Sequence, residues 1–305
     1  MAEYINTRMV PFDSYRKFAA LITYQGHRTC GWQRQSGPAE HGGPSIQAEL
    51  EDALERLTGE KASVVGSGRT DAGVNARGQV AHFRLTATEK NTRWDAGKLR
   101  KGWNAQIQSR APWVRVIAIV EVPLEFHSQR SATQKQYSYY MLQGPVALPD
   151  LALHSHYVPT ALSREAMQEA LNPLLGSHDF KAFQASGGDQ ENTVRTLFEA
   201  EVSCVPLPFQ SPGAHFSMIR IRLVGSGFLK QMVRGLVGTL IPIGEGKLEP
   251  RYLKEVVDSR ERPGVGARAG TSSITTAPAQ GLWLEWVKYD GFPELNQLTA
   301  PPQVD

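Results

Sequence analysis

Residues 62–85 set two apolar, strand-like runs on either side of a loop holding Gly66, Gly68 and Gly73. A strand that turns back into a strand cannot open the strand–loop–helix unit from which doubly wound parallel sheets are built. The Gly66-Ser67-Gly68 start imitates a dinucleotide fingerprint, but Asp71 stands where that motif needs its third glycine. Its charge would repel a pyrophosphate. The Gly246-Lys247 pair fails as a phosphate loop too, because Ile241 stands where that motif needs its first glycine. A nucleotide-dependent oxidoreductase is therefore the weakest function class for this chain.

Around this loop the pattern predicts strands over 18–24, 114–122, 136–142, 195–205, 215–224 and 281–289, and a polar loop over 29–43. A helix capped by Ser45 carries an apolar stripe of Ile46, Leu50, Leu54 and Leu57 and stops at Gly59. Further helices are expected over 95–105, weaker than the first, after the cap Ser163, over the strongly apolar 228–241 and over a shorter 250–259. Strands outnumber helices without strict alternation, which predicts an α+β chain with a mixed or antiparallel central sheet flanked by helices. The 305 residues suggest two domains, 14–123 with the Asp71 loop and 124–290, with mobile ends over 1–13 and 291–305.

No apolar run approaches the roughly 20 residues of a membrane-spanning helix, and residues 1–17 lack the apolar core of a secretory signal, so a cytoplasmic protein is expected. Cys30 and Cys204 stand far apart, against a disulfide framework or zinc site. A formal charge of +3 is too mild to demand a nucleic-acid partner, so any basic surface must be local. Two clusters qualify: Arg93, Lys98, Arg100, Lys101 and Arg110, then Arg251, Lys254, Arg260, Arg262 and Arg268. Solvated helix faces are the plainer reading of each.

Asp71 is left at the tip of a glycine-rich loop, with Arg69 before it and Arg77 after it. Alone, such an Asp is either a turn residue accepting loop N–H bonds or a functional carboxylate. The wider pattern favours the second. Residues 68–74 read G-R-T-D-A-G-V, residues 31–35 G-W-Q-R-Q, residues 228–240 F-L-K-Q-M-V-R-G-L-V-G-T-L and residues 277–284 A-P-A-Q-G-L-W-L. This ordered set resembles the tRNA pseudouridine synthase A family across 18–289. Family members often carry His where Asn75 stands and Asn where Gly235 stands.

The resemblance implies a cofactor-independent and metal-free isomerase that converts uridine to pseudouridine in the anticodon stem-loop of tRNA, acting as a homodimer. It makes Asp71 the catalytic carboxylate; attack at C1′, addition to the base and proton removal from C2′ all remain open to it. It puts Tyr137 against the target base. Arg69 enters the RNA in place of the flipped nucleotide, or else braces the loop. Arg234, in an otherwise apolar helix, either reaches solvent or pairs with a carboxylate, which the resemblance makes Asp71. His82, Phe83 and Trp32 are candidates for the pocket wall or for ordinary core. A non-catalytic RNA-binding or RNA-folding protein on the same scaffold is the alternative.

Overall fold

The computed structural model describes residues 15–34, 43–188, 190–207, 215–263 and 275–295. The strands are β1 (Tyr15–Tyr24), β2 (Val65–Gly66), β3 (Asn75–Thr86), β4 (Val114–Val122), β5 (Gln134–Gln143), β6 (His156–Tyr157), β7 (Gly176–Asp179), β8 (Val194–Val205), β9 (Ser217–Gly225) and β10 (Leu282–Lys288). The helices are α1 (Ile46–Thr58), α2 (Glu89–Thr92), α3 (Ala96–Gln108), α4 (Arg164–Leu171), α5 (Met232–Gly244) and α6 (Arg251–Ser259).

Side-chain caps start three of these helices: Ser45, Asp95 and Ser163 accept hydrogen bonds from the backbone N–H of Ala48, Lys98 and Ala166. Each satisfies a donor that the first turn leaves without a partner. Gly59 closes α1 at φ 75°, a left-handed conformation that glycine adopts without strain.

All ten strands join one sheet in the order β4-β1-β3-β10-β5-β9-β8-β7, with β2 beside β3 and β6 beside β5. The pairs are antiparallel except β3–β10 and β5–β6, so the expected mixed, largely antiparallel sheet is present. Two three-strand units recur along it, β4-β1-β3 and β10-β5-β9. In each, the strand that comes first in the chain lies between the other two and runs antiparallel to both. The units meet where Asn75 and Ala76 of β3 pair with Trp283 and Leu284 of β10. Helices α1 and α3 pack together beside β4, and α4 packs on α5, α6 and β8. One apolar core extends from Phe18 to Leu295 across both units, and a smaller one gathers Leu142, Leu151 and Met218.

Three boundaries differ from expectation. The strand after the loop starts at Asn75, not 79, so the connection is tighter than the polarity of Asn75 and Arg77 suggests. The strand expected over 62–65 shrinks to Val65–Gly66. Helix α5 starts at Met232 because Gln231 takes a left-handed φ of 59°, and it continues through Pro242 to Gly244. Proline in a last turn loses only one backbone bond. Of the ends expected to move, Leu295 is buried and Phe292 packs edge-on against Phe126 at 5.0 Å; residues 1–14 and 296–305, most of the loop 36–44, and Arg268 lie outside the described residues.

Candidate active site

The loop between β2 and β3 is held at its root by one buried amide. The Gln79 Oε1 accepts from the backbone N–H and the hydroxyl of Ser67, at 3.1 and 2.6 Å, while its Nε2 donates to the Gly68 carbonyl at 2.8 Å. A buried side chain amide must find such partners or lose several kcal/mol, so Gln79 is fixed by the loop as much as it fixes it. Further along, the Tyr24 hydroxyl bonds Thr70 Oγ1 at 2.8 Å, and the backbone N–H of Trp32 donates to the Thr70 carbonyl at 3.0 Å. Gly31, at φ 102°, allows that approach: a Cβ there would lie 2.7 Å from the Thr70 carbonyl oxygen.

The three loop glycines have separate roles. Gly66 makes room for the Trp32 ring, which a Cβ would meet at 2.5 Å. Gly73 takes φ 82° in the turn closed by the Val74 N–H donating to the Asp71 carbonyl at 3.2 Å. Gly68 faces the Tyr137 hydroxyl and the Lys135 ammonium, which lie 3.8 and 3.5 Å from where its side chain would begin.

Asp71 meets Arg234 across the molecule. Arg234 Nη1 donates to Asp71 Oδ2 at 3.0 Å, with the two side chains 15 and 26 % exposed, and Nε donates to the Ala277 carbonyl at 2.7 Å. The same carbonyl segment returns the favour, since the Ala277 N–H donates to the Arg234 carbonyl at 3.0 Å. The guanidinium is thereby held by two elements and presented to one carboxylate, and of the two sequence readings of Arg234 the structure has the paired one.

Tyr137 and Tyr139 share one face of β5, as the alternation predicts, while Tyr140 lies on the other with Glu285 and Arg77. The Tyr139 hydroxyl donates to the Pro278 carbonyl at 2.8 Å. The Tyr137 ring stands edge-on to Phe228 at 5.1 Å. Burial, with lesser contributions from Tyr24 and Asp71, pushes the Tyr137 phenol well above its ordinary range. It therefore stays protonated at neutral pH and offers a ring edge and an O–H rather than a phenolate. Arg69 is exposed on the outer limb of the loop.

Two of the three pocket-wall candidates are core. Phe83 stacks on Phe18 at 5.4 Å and meets Trp103 edge-on. His82 is enclosed beside Ser128, its Nδ1 2.9 Å from the Ser128 hydroxyl. Both sit on β3 beyond the loop, where the strand is covered. Trp32 is buried as well, but beneath Gly66, so it supports the loop root.

Sequence reasoning missed Gln79, Tyr24 and Lys135. A glutamine flanked by apolar residues in a strand was the one available signal; the other two look like ordinary strand residues. Asn75 was noticed only as a departure. It joins three segments at the meeting of the units: its Oδ1 accepts from Gly26 N–H at 2.9 Å, and its Nδ2 donates to the carbonyls of Gln280 at 2.9 Å and Leu153 at 3.3 Å. Among the described residues no three His, Cys, Asp or Glu side chains gather as a metal-binding group, and no helix is long and apolar enough to cross a membrane.

Comparison with other proteins gives the class to which this arrangement belongs. A family model described as tRNA pseudouridine synthase matches residues 170–290, which include Arg234. Proteins called tRNA pseudouridine synthase A are similar over most of their length. That of Sinorhizobium fredii is 34 % identical over 275 residues, covering 90 % of this chain and 99 % of its own. Those of Maridesulfovibrio salexigens and Roseiflexus castenholzii are 35 and 36 % identical, covering 90 and 93 % of this chain and 90 and 96 % of theirs. The chain belongs to the tRNA pseudouridine synthase A family.

Proposed function

We propose that this chain isomerises uridine to pseudouridine in the anticodon stem-loop of tRNA without a cofactor, with Asp71 as the catalytic carboxylate. The reaction breaks the bond between N1 and C1′, turns the uracil, rejoins it through C5 and releases the C5 proton. It needs a carboxylate to act on ribose or base, a surface for the detached ring and positive charge nearby. Asp71, Tyr137 and Arg234 supply these in turn. The observation that carries the reading is the Arg234–Asp71 contact, which fixes the carboxylate at the tip of an otherwise glycine-rich loop.

The target base must leave its stack before it can react, at a cost of a few kcal/mol. Arg69, exposed next to Asp71, is suited to fill the vacated place. The homodimer and the cytoplasmic location belong to the same reading and rest on the family resemblance; light scattering that returned a single 33.6 kDa chain would remove the first.

Unmodified tRNA tritiated at uracil C5 tests the reading, with chelator present and no cofactor added. Wild type should release tritium to water. Asp71→Asn should release none, a loss of roughly a thousandfold or more, while tRNA affinity stays within a fewfold of wild type. Binding lost in proportion to product would take the catalytic role away from Asp71.

A further inference from the structure

Four of the ten cations that sequence clustering singles out pair with carboxylates among the described residues. Lys98 pairs with Asp95 at 3.1 Å, Arg251 with Glu255 at 3.7 Å, Lys254 with Asp258 at 2.5 Å and Arg260 with Asp179 at 3.3 Å. Three others bond only to neutral oxygens among the described residues, and the first of them reaches the Asp71 loop. Lys135 Nζ donates to the Ser67 carbonyl at 2.5 Å. Arg195 donates to the carbonyls of Asn192 and Val194 at 3.0 and 2.6 Å and to the Gln190 side chain. Lys230 Nζ donates to the Ser186 carbonyl at 3.1 Å.

The sheet brings these three to one end. Lys135 pairs with Gly225, and Gly225 with Leu197, so β5, β9 and β8 align there, with Arg195 two residues before Leu197 on the same face. Residues 225–230 then lead into α5. Arg195 Nε lies 3.6 Å from where a side chain at Gly227 would begin, and the Lys230 ammonium lies 3.4 Å from the corresponding point at Gly187, so both cations border the 186–190 segment. Helix α5 itself starts without a side-chain cap, at left-handed Gln231, so its first N–H groups add positive potential to that end. The cations disfavour one another: burial, and after it the Arg195 charge, lower the Lys135 ammonium to about 8. Like charges that bond to no carboxylate among the described residues are stabilised by an anion from outside.

We infer that Arg195, Lys230 and Lys135, together with the uncapped start of α5, form a shelf that takes a backbone phosphate of the RNA strand flanking the target uridine. The inference rests on the proposed tRNA substrate. A phosphate there orients the strand without reading its sequence and hands the neighbouring nucleotide to the Asp71 loop. Lys135 links the two places, since its other contact is the loop carbonyl of Ser67.

Arg195→Gln, Lys230→Gln and the double variant test this, with tRNA affinity measured over a series of salt concentrations. Each lost phosphate contact should flatten the slope of log affinity against log salt by roughly one unit and weaken binding about fivefold near physiological salt. Arg195→Lys should restore the slope, which separates lost charge from misfolding. Wild-type slopes in Lys230→Gln and in the double variant would overturn the shelf. Inorganic phosphate at matched ionic strength should displace tRNA from wild type more readily than from the double variant, and equal displacement from both would count against the shelf. Absence of tritium release from wild type would overturn the isomerase reading instead and leave the slope comparison standing.

Discussion

The helices α3 and α5 occupy matching places in the two units, each joining the second strand of a unit to its third, yet they are built on opposite rules. Helix α3 starts on the Asp95 cap and buries one stripe, Leu99, Trp103 and Ile107. Helix α5 starts on an uncapped, left-handed Gln231 and is buried almost all round, and its one charged side chain, Arg234, leaves it to meet Asp71. The first follows local preference because it only has to cover a sheet. The second departs from it at its N-cap and at Arg234, and those departures lie where the candidate chemistry is. The strands β1 and β5 repeat the contrast. Lys17 near the start of β1 gives its ammonium to the carbonyls of Leu124 and Phe126, a purely internal bond, whereas Lys135 near the start of β5 reaches the Asp71 loop.

The sharpest way to break this contrast is through the glycines of the two helices. A Cβ on Gly238 would sit 1.7 Å from the Thr275 carbonyl oxygen, whereas one on Gly97 meets only the Asp95 side chain, at 3.3 Å. Gly238→Ala should cost about 3 kcal/mol or more in urea unfolding, and Gly97→Ala less than about 1. Equal effects would mean that α5 is not pressed against the segment before β10 that carries Ala277.

A smaller effect separates β3 from β9, its counterpart in the second unit, which carries no histidine. Burial, then the charges of Lys17, His127, Arg84 and Arg130, lower His82 to about 3. The unfolded chain therefore takes up a proton first as pH falls below the ordinary histidine value, and stability is lost between about 6.5 and 3. His82→Gln should flatten the fall in unfolding free energy by about 1 kcal/mol per pH unit in that window. An unchanged slope would show that His82 is already charged in the fold. The smallest effect concerns the helix starts. Asp95→Ala should cost about 1 kcal/mol, whereas Gln231→Gly should be mildly stabilising, by less than about 1, because glycine takes the left-handed backbone freely.

Much of this arrangement was legible in advance. Capping residues and apolar spacing marked α1, α3 and α4, and alternation marked the long strands, because those signals act over neighbouring residues. The motif order singled out Asp71, Tyr137 and Arg234. What the sequence hid was anything set by long-range pairing. Nothing in Gly176-Ser-His-Asp179 announces a strand; it becomes β7 because β8 offers it an edge. Gln79, Tyr24 and Lys135 acquire roles only once the loop folds over them. The shelf cations come from three separate segments, whereas clustering along the chain finds only cations that are neighbours in sequence.

The place of β10 between β3 and β5 has a consequence for synthesis. The two units share no edge until this strand is inserted, and the carbonyl that orients Arg234 lies just before it. A chain emerging from the ribosome therefore carries Asp71 and Arg234 for some time without the means to hold them together. On the role proposed for Asp71, the candidate site is assembled only when β10, the last strand among the described residues, is in place.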